Sequence, residues 1–221
     1  MELNTIISFL NDLRRNNNRE WFKENENKYR KSKELFEHFL DILIPPLHQI
    51  DASIDVISSK DCIFRIYRDV RFSKNKEPYK NNFGAFISKG GRKSPYAGYY
   101  IHIEPGSSFI GGGIYMPESK ILNAIRTEIY NNTSEYKSII NDPSFKKYFP
   151  AIFGEKLKMA PKGFPKDFED IELLKNKHYA LAHNVKDEFW SDNGLFDNIM
   201  DIFKTQYPFN RFMNEAVEKA L

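Results

Sequence analysis

A single cysteine, Cys62, stands in the 221 residues. An intramolecular disulfide is therefore impossible, and a zinc site built on cysteines of one chain is not expected. No apolar run approaches the roughly 20 residues that a membrane-spanning helix needs, so no membrane partner is expected. The opening Met1-Glu2-Leu3-Asn4 lacks the basic and apolar stretches of a secretory leader, which makes the cytoplasm the expected compartment. Neither sign of charge dominates. With 33 basic and 30 acidic residues the net charge is +3. The isoelectric point near 8.7 falls short of the value above about 9, with a one-sided patch, that marks a surface given over to nucleic acid. There is no internal repeat and no long linker.

What is present is a globular composition. Hydrophobic residues make up 41% and charged residues 29%, which sets the chain apart from membrane and disordered proteins. The length fits one large domain, or one domain with a helical appendage, and suffices for a core without staples. Aromatics reach 15%, and most of these rings belong in that core.

Hydrophobic spacing outlines the elements. Ile6, Phe9, Leu10 and Leu13 fall on one helical stripe, with Asn4 or Thr5 available as a cap. Asn18 can cap a second helix opening at Arg19-Glu20-Trp21. Tyr29, Phe36, Phe39, Leu40, Leu43 and Leu47 continue a stripe that Pro45-Pro46 is expected to break or kink. Lys23 through Glu34 carry mixed charge and read as a solvated face. From Ile57 to Met116 the pattern changes to alternation. Strands are expected at Cys62–Tyr67, Asn81–Ile87, Gly98–Ile103 and Phe109–Tyr115, joined by turns at Lys89-Gly90-Gly91-Arg92 and Glu104-Pro105-Gly106-Ser107. Pro117 suits the first turn of a helix carrying Ile121, Leu122, Ile125 and Ile129. A short helix over Ser134–Ile140 follows. Two late strands are expected at Glu155–Met159 and Tyr179–Val185, with a helix over Asp167–Lys175 between them. The tail from Leu195 reads as helical with a break at Pro208. The predicted fold class is α+β: a mixed, mainly antiparallel sheet with helices packed against it, in one domain over residues 1–221.

Five stretches carry a family resemblance. They are Asn16-Asn17-Asn18-Arg19-Glu20-Trp21-Phe22, the run from Arg65 to Lys80, Tyr99-Tyr100-Ile101-His102-Ile103-Glu104-Pro105-Gly106, Gly111-Gly112-Gly113-Ile114-Tyr115-Met116-Pro117, and Pro161-Lys162-Gly163-Phe164-Pro165. In this order they resemble the domain of unknown function 2461 family over most of the chain. Asn75 stands where that family often has Asp. The resemblance implies a single α+β domain. It carries no assigned activity, so no catalytic residue transfers from it.

The chemically loaded stretch is Arg65–Lys80. Arg65, Arg68, Arg71, Lys74, Lys76 and Lys80 face only Asp69 and Glu77, so these 16 residues carry +4 while the whole chain carries +3. Arginine suits bidentate contact with phosphate or carboxylate, and lysines on a loop can converge on a ligand. If the strand continued, Arg65, Tyr67, Asp69 and Arg71 would share one face and Phe64, Ile66, Val70 and Phe72 the other, with Arg68 breaking the apolar side. Three arginines in an aromatic segment need partners. Those partners are either a ligand or the chain's own Asp69, Glu77 and Glu104. The plainer alternative is a solvated strand edge guarded by charge.

Tyr100, His102 and Glu104 alternate on one strand face. A histidine beside a carboxylate can exchange protons near neutral pH, or the three simply form a polar outer face. His38, His48, His178 and His183 add no ligand spacing, so no metal is expected, and no motif specifies a cofactor. Gly111-Gly112-Gly113 lacks the Gly-Lys-Ser/Thr ending of a phosphate loop and reads as close backbone packing. Asn17, Asn18 and Arg19 either cap a helix or stand at the rim of the basic site. Tyr67, Phe72 and Tyr79 either pack or stack on bases. Ser73, Ser88 and Ser94 lack a nucleophile elbow, and Cys62 reads as an inert core thiol.

Three functions follow. The favoured one is a binder of, or enzyme for, a small anionic ligand bearing phosphate or carboxylate. Its candidate acid/base groups are His102 and Asp69. Its candidate ligand contacts are Arg65, Arg68, Arg71, Lys74, Lys76, Tyr79, Lys80, Tyr100, Glu104 and Arg19. The others are a nucleic-acid-binding module, disfavoured by the mild net charge, and an interaction or structural domain whose arginines are paired internally.

Overall fold

Ile6, Ile7, Phe9, Leu10 and Leu13 bury one stripe and make Asn4–Arg15 a helix, α1. The computed structural model describes residues 3–221; Met1 and Glu2, where the leader reading begins, lie outside the described residues. The cap position of α1 is Leu3, with no side-chain cap, in place of Asn4 or Thr5. Leu3 is fully buried, so core packing sets the start of the helix and polar capping does not. At α2 (Arg19–Glu24) the expected cap is present: Asn18 Oδ1 accepts from the Trp21 amide at 2.9 Å.

Helix α3 (Glu26–Ile50) runs on through Pro45-Pro46, and the last helix, α8 (Leu195–Ala220), runs on through Pro208. The expected breaks are absent because the core outweighs them. An internal proline costs about 3 kcal/mol, whereas each fully buried large apolar side chain contributes about 1.5–3 kcal/mol. Leu43, Ile44 and Leu47 flank the first site, and Phe209, Phe212 and Met213 follow the second, all buried.

Strands β1 (Phe83–Ile87), β2 (Gly98–Ile103), β3 (Phe109–Ile114) and β4 (Tyr179–Asn184) form one sheet in sequence order, antiparallel at every pairing. The β2–β3 turn has Pro105 followed by Gly106 at φ +74°, closed by the Ser107 amide on the Glu104 carbonyl at 2.9 Å. Helices α4 (Ser119–Asn131), α5 (Thr133–Asn141), α6 (Pro143–Tyr148) and α7 (Ile171–Leu174) occupy the crossover to β4. Pro117 precedes α4 and is not its first residue; Glu118 holds the cap position. Glu155–Met159 is no strand: its ladder is one bridge, Lys156 to Asn176. The helix expected at Asp167–Lys175 contracts to the four residues of α7. Most of the residues from Ala151 to Met159 are exposed, so they have no face to bury and no reason to stay regular.

The two faces of the sheet differ. Phe83, Ala85 and Ile87 pair with Ile103, Ile101 and Tyr99 and point into the core. Phe9, Tyr29 and Phe36 set their rings 5.5–6.3 Å from Phe83, and Phe203 of α8 lies 4.8 Å from Tyr99. Helix α8 comes down onto bare backbone: Gln206 and Asn210 both donate to the Gly98 carbonyl, at 2.9 and 3.1 Å. A Cβ on Gly112 (φ +146°) would collide with that carbonyl and with Gln206. The glycine run is thus the seat of a helix. On the opposite face Phe86, Tyr100, His102 and Phe109 remain partly exposed.

Candidate functional site

The site is built from an irregular ribbon laid along the free edge of β1. The Phe64 amide donates to the Gly84 carbonyl and the Phe86 amide to the Cys62 carbonyl, both at 2.9 Å. Farther along, the Lys80 amide donates to the Ile66 carbonyl at 2.8 Å and the Arg68 amide to the Pro78 carbonyl at 2.9 Å. Regular alternation does not follow. Only the bridges Ile63–Ala85 and Tyr67–Tyr79 form, so the strand expected at Cys62–Tyr67 is absent. The two faces do not continue to Phe72; the chain turns irregular near Arg68, at the expected break in the apolar face. Ile66 is buried, but Phe72 on the supposed apolar face is 97% exposed. The chain leaves its partner after Arg68, because Arg71, the third cationic side chain in seven residues, cannot be buried against the sheet.

Asn17 fixes this ribbon from the α1–α2 turn. Its amide nitrogen donates to the Tyr79 carbonyl at 3.1 Å and its oxygen accepts from the Tyr79 amide at 3.2 Å, imitating a neighbouring strand. The same nitrogen reaches Asn81 Oδ1 at 3.0 Å. The Tyr79 ring stacks on Phe22 at 3.9 Å and is buried, so it belongs to the core.

Between the ribbon and the β2–β3 turn lies an open hollow of about 380 Å³. Arg68, Asp69, Ser73, Lys80, Asn81, Asn82 and Glu104 line it. The ion pairs of the segment are Arg68–Glu77 at 3.6 Å and Arg71–Asp69 at 2.7 Å. Neither Arg65 nor Lys80 has a carboxylate within salt-bridge reach among the described residues. Burial, then the charges of Arg65 and Arg68, hold the Lys80 ammonium below the ordinary lysine pKa. Arg68 and Lys80 thus meet on the hollow with Arg65 close by; Arg68 is paired with Glu77, and the carboxylates of Asp69 and Glu104 share the lining.

Behind Glu104 runs a hydrogen-bonded chain. His102 Nε2 lies 2.9 Å from Glu104 Oε2, and His102 Nδ1 lies 3.1 Å from the Tyr100 hydroxyl and 3.4 Å from Asn82 Nδ2. A carboxylate only accepts, so Nε2 carries the proton, and Nδ1 accepts from Tyr100. Burial pushes the Tyr100 phenol up to about 12, with the Glu104 charge adding to the effect. Burial also lowers the His102 pKa, against the pull of Glu104 and with a further push from Lys80. The imidazole is neutral, and the group that meets the hollow is Glu104.

The remaining predicted residues are dispersed. Asp69 accepts from Arg71 at both oxygens, Nε at 3.0 Å and Nη2 at 2.7 Å, which lowers its pKa and raises that of Arg71. Lys76 donates to the Val70 carbonyl at 3.1 Å, tying the loop to itself. Lys74 and Arg19 are exposed. Ser73, Asn81 and Asn82 also line the hollow, although the sequence reading does not name them as site residues; single polar residues between strands give no periodic signal. A second hollow of about 350 Å³ lies at the α4–α5 junction, lined by Tyr130–Glu135. It is a crease between helices and gathers no opposed charges.

Comparison with known proteins matches residues 5–212 to a family of conserved hypothetical proteins, DUF2461. The chain belongs to the DUF2461 family. All five of the stretches that carry the resemblance lie inside the matched region. No curated protein and no solved structure matches the chain. In this DUF2461 protein no described helix is long and apolar enough to cross a membrane.

Proposed function

We propose that this protein binds a small anionic ligand, bearing phosphate or carboxylate, in the hollow between the Arg65–Lys80 ribbon and the β2–β3 turn. The observation that carries the reading is the convergence of Arg68 and the half-buried Lys80 on one open hollow, with Arg65 nearby and, among the described residues, no carboxylate within salt-bridge reach of Lys80, while Asp69 and Glu104 complete the lining. Cations held together in this way repel one another, and an anion relieves the repulsion. Asn81 gives its oxygen to Asn17, which leaves its amide hydrogens for the ligand. Glu104, oriented by His102 and Tyr100, is the group placed to take a proton from a bound molecule or return one. Asp69, locked onto Arg71, acts as a tether for the loop. A buried thiol at Cys62, pushed up to about 12 by its surroundings, suits a reducing cytoplasm.

A second reading has its own observation: the fork of Arg71 on Asp69 is an internal pair, as expected of a structural domain. The two readings part at Arg68. A thermal-shift screen against phosphorylated and carboxylated small molecules should raise the melting temperature for at least one class. Arg68→Ala should keep the fold, since its side chain is partly exposed, and should weaken that ligand about tenfold or more. If no anion shifts the melting temperature and Arg68→Ala only unfolds the protein, the structural reading stands and ours falls.

A further inference from the structure

The wall of the hollow formed by Lys80 continues into an aromatic strip on the open sheet face. Lys80 Nζ lies 5.7 Å from the centre of the Phe64 ring. Phe64 meets Tyr100 edge-on at 6.2 Å, Tyr100 lies 5.4 Å from Phe109, and Phe109 stacks on His102 at 4.6 Å. Phe64 is 36% exposed, and the other rings are partly so. Gly84, between Phe64 and Tyr100, has no side chain, and a Cβ there would meet the Tyr100 hydroxyl. A buried phenylalanine would serve the core; these rings face away from it. A partly exposed aromatic strip, most open at Phe64 and ending at Lys80, fits a ligand that is flat and apolar at one end and anionic at the other.

Resting on the anion-binding reading above, we infer that the ligand is a nucleoside phosphate, its phosphate held by Arg68 and Lys80 and its base stacked on the strip that begins at Phe64. The separation of Lys80 from the Phe64 ring is one that a sugar spans. A hollow of about 380 Å³ holds one such molecule and not a strand. Arg68 and Lys80 gather at one end of the strip and, among the described residues, no row of cations follows its length, whereas a polymer needs a charged track. The base supplies what inorganic phosphate lacks, namely stacking area.

Calorimetric titration of the full chain tests this with four nucleoside 5′-monophosphates, ribose 5-phosphate, inorganic phosphate and a short single-stranded oligonucleotide. At least one nucleotide should bind about tenfold or more tighter than ribose 5-phosphate, the margin stacking provides. Phe64→Leu, at a partly exposed position, should erase that margin, so that nucleotide and ribose 5-phosphate bind alike when both are measured on the variant. Arg68→Ala should weaken both. If the nucleotides bind no better than ribose 5-phosphate, the inference is wrong while the anion reading survives. If no phosphate compound binds, the inference fails, and the anion reading fails with it only if the carboxylated molecules of the thermal-shift screen do not bind either. If the oligonucleotide binds far more tightly than any mononucleotide, with an affinity that falls steeply with salt, the protein is a strand binder and the inference is overturned.

Discussion

Asn17 does the work of a missing strand. Its single side-chain amide satisfies both backbone groups of Tyr79 and also holds Asn81. Asn17→Ala leaves those groups without their partner, so we predict a loss of about 1–3 kcal/mol in urea unfolding, with weaker anion binding because Lys80 and Asn81 lose their support. His102 carries a pH signature. Its folded-state pKa lies below the ordinary 6.5, so the unfolded chain takes up a proton more readily than the folded one. Its contribution is complete above 6.5 and is lost as the pH falls through that value toward the folded pKa. Unfolding midpoints should therefore be lower at pH 5 than at pH 7, and the difference should shrink in His102→Gln. It should not vanish, because burial lowers His183 in the same way. An unchanged pH profile in that variant would contradict the lowered pKa of the partly buried histidine.

At the scale of elements, the β2–β3 glycine platform and the β2–β3 turn make opposite predictions. Gly112 has a left-sided backbone and no room, so Gly112→Ala should cost at least about 3 kcal/mol in denaturant unfolding. Gly106 shares the unfavourable φ but has nothing within 4 Å of a new Cβ, so Gly106→Ala should cost only about 1–2 kcal/mol. Equal losses would mean that helix α8 does not rest on the strand backbone as described. The local pattern made β2 legible to its ends, since Tyr99, Ile101 and Ile103 alternate against Tyr100 and His102. It also made the Asn18 cap and the α1 stripe legible. It misled wherever distant packing decided the matter. Pro45-Pro46 and Pro208 read as breaks, yet the buried residues around them belong to a core assembled from the whole chain. The Cys62–Tyr67 run alternates well enough for a strand, yet it has β1 on one side only and turns irregular where its cations begin.

For the molecule as a whole, the mild net charge conceals the uneven placement of that charge. The basic cluster was legible as composition, and the Tyr100–His102–Glu104 row was legible as alternation. That the two meet across one hollow was not, because the β2–β3 turn and the ribbon are brought together by the tertiary fold. Which cations are paired was equally hidden: Arg71 is held by Asp69 and Arg68 by Glu77, while Arg65 and Lys80 have no carboxylate in salt-bridge reach among the described residues. Lys80 also sets a limit in pH. Because its pKa is lowered, anion affinity should decline as the pH rises through a range where an ordinary lysine would still be charged, and Lys80→Arg should move that decline to higher pH. The most direct test of the account is an NMR titration of ¹⁵N-labelled protein with inorganic phosphate. We predict that the perturbed signals cluster on Arg68, Ser73, Lys80, Asn81, Asn82 and Glu104. Perturbations centred on the Tyr130–Glu135 crease, or scattered over exposed lysines such as Lys23 and Lys31 with none at the hollow, would contradict it.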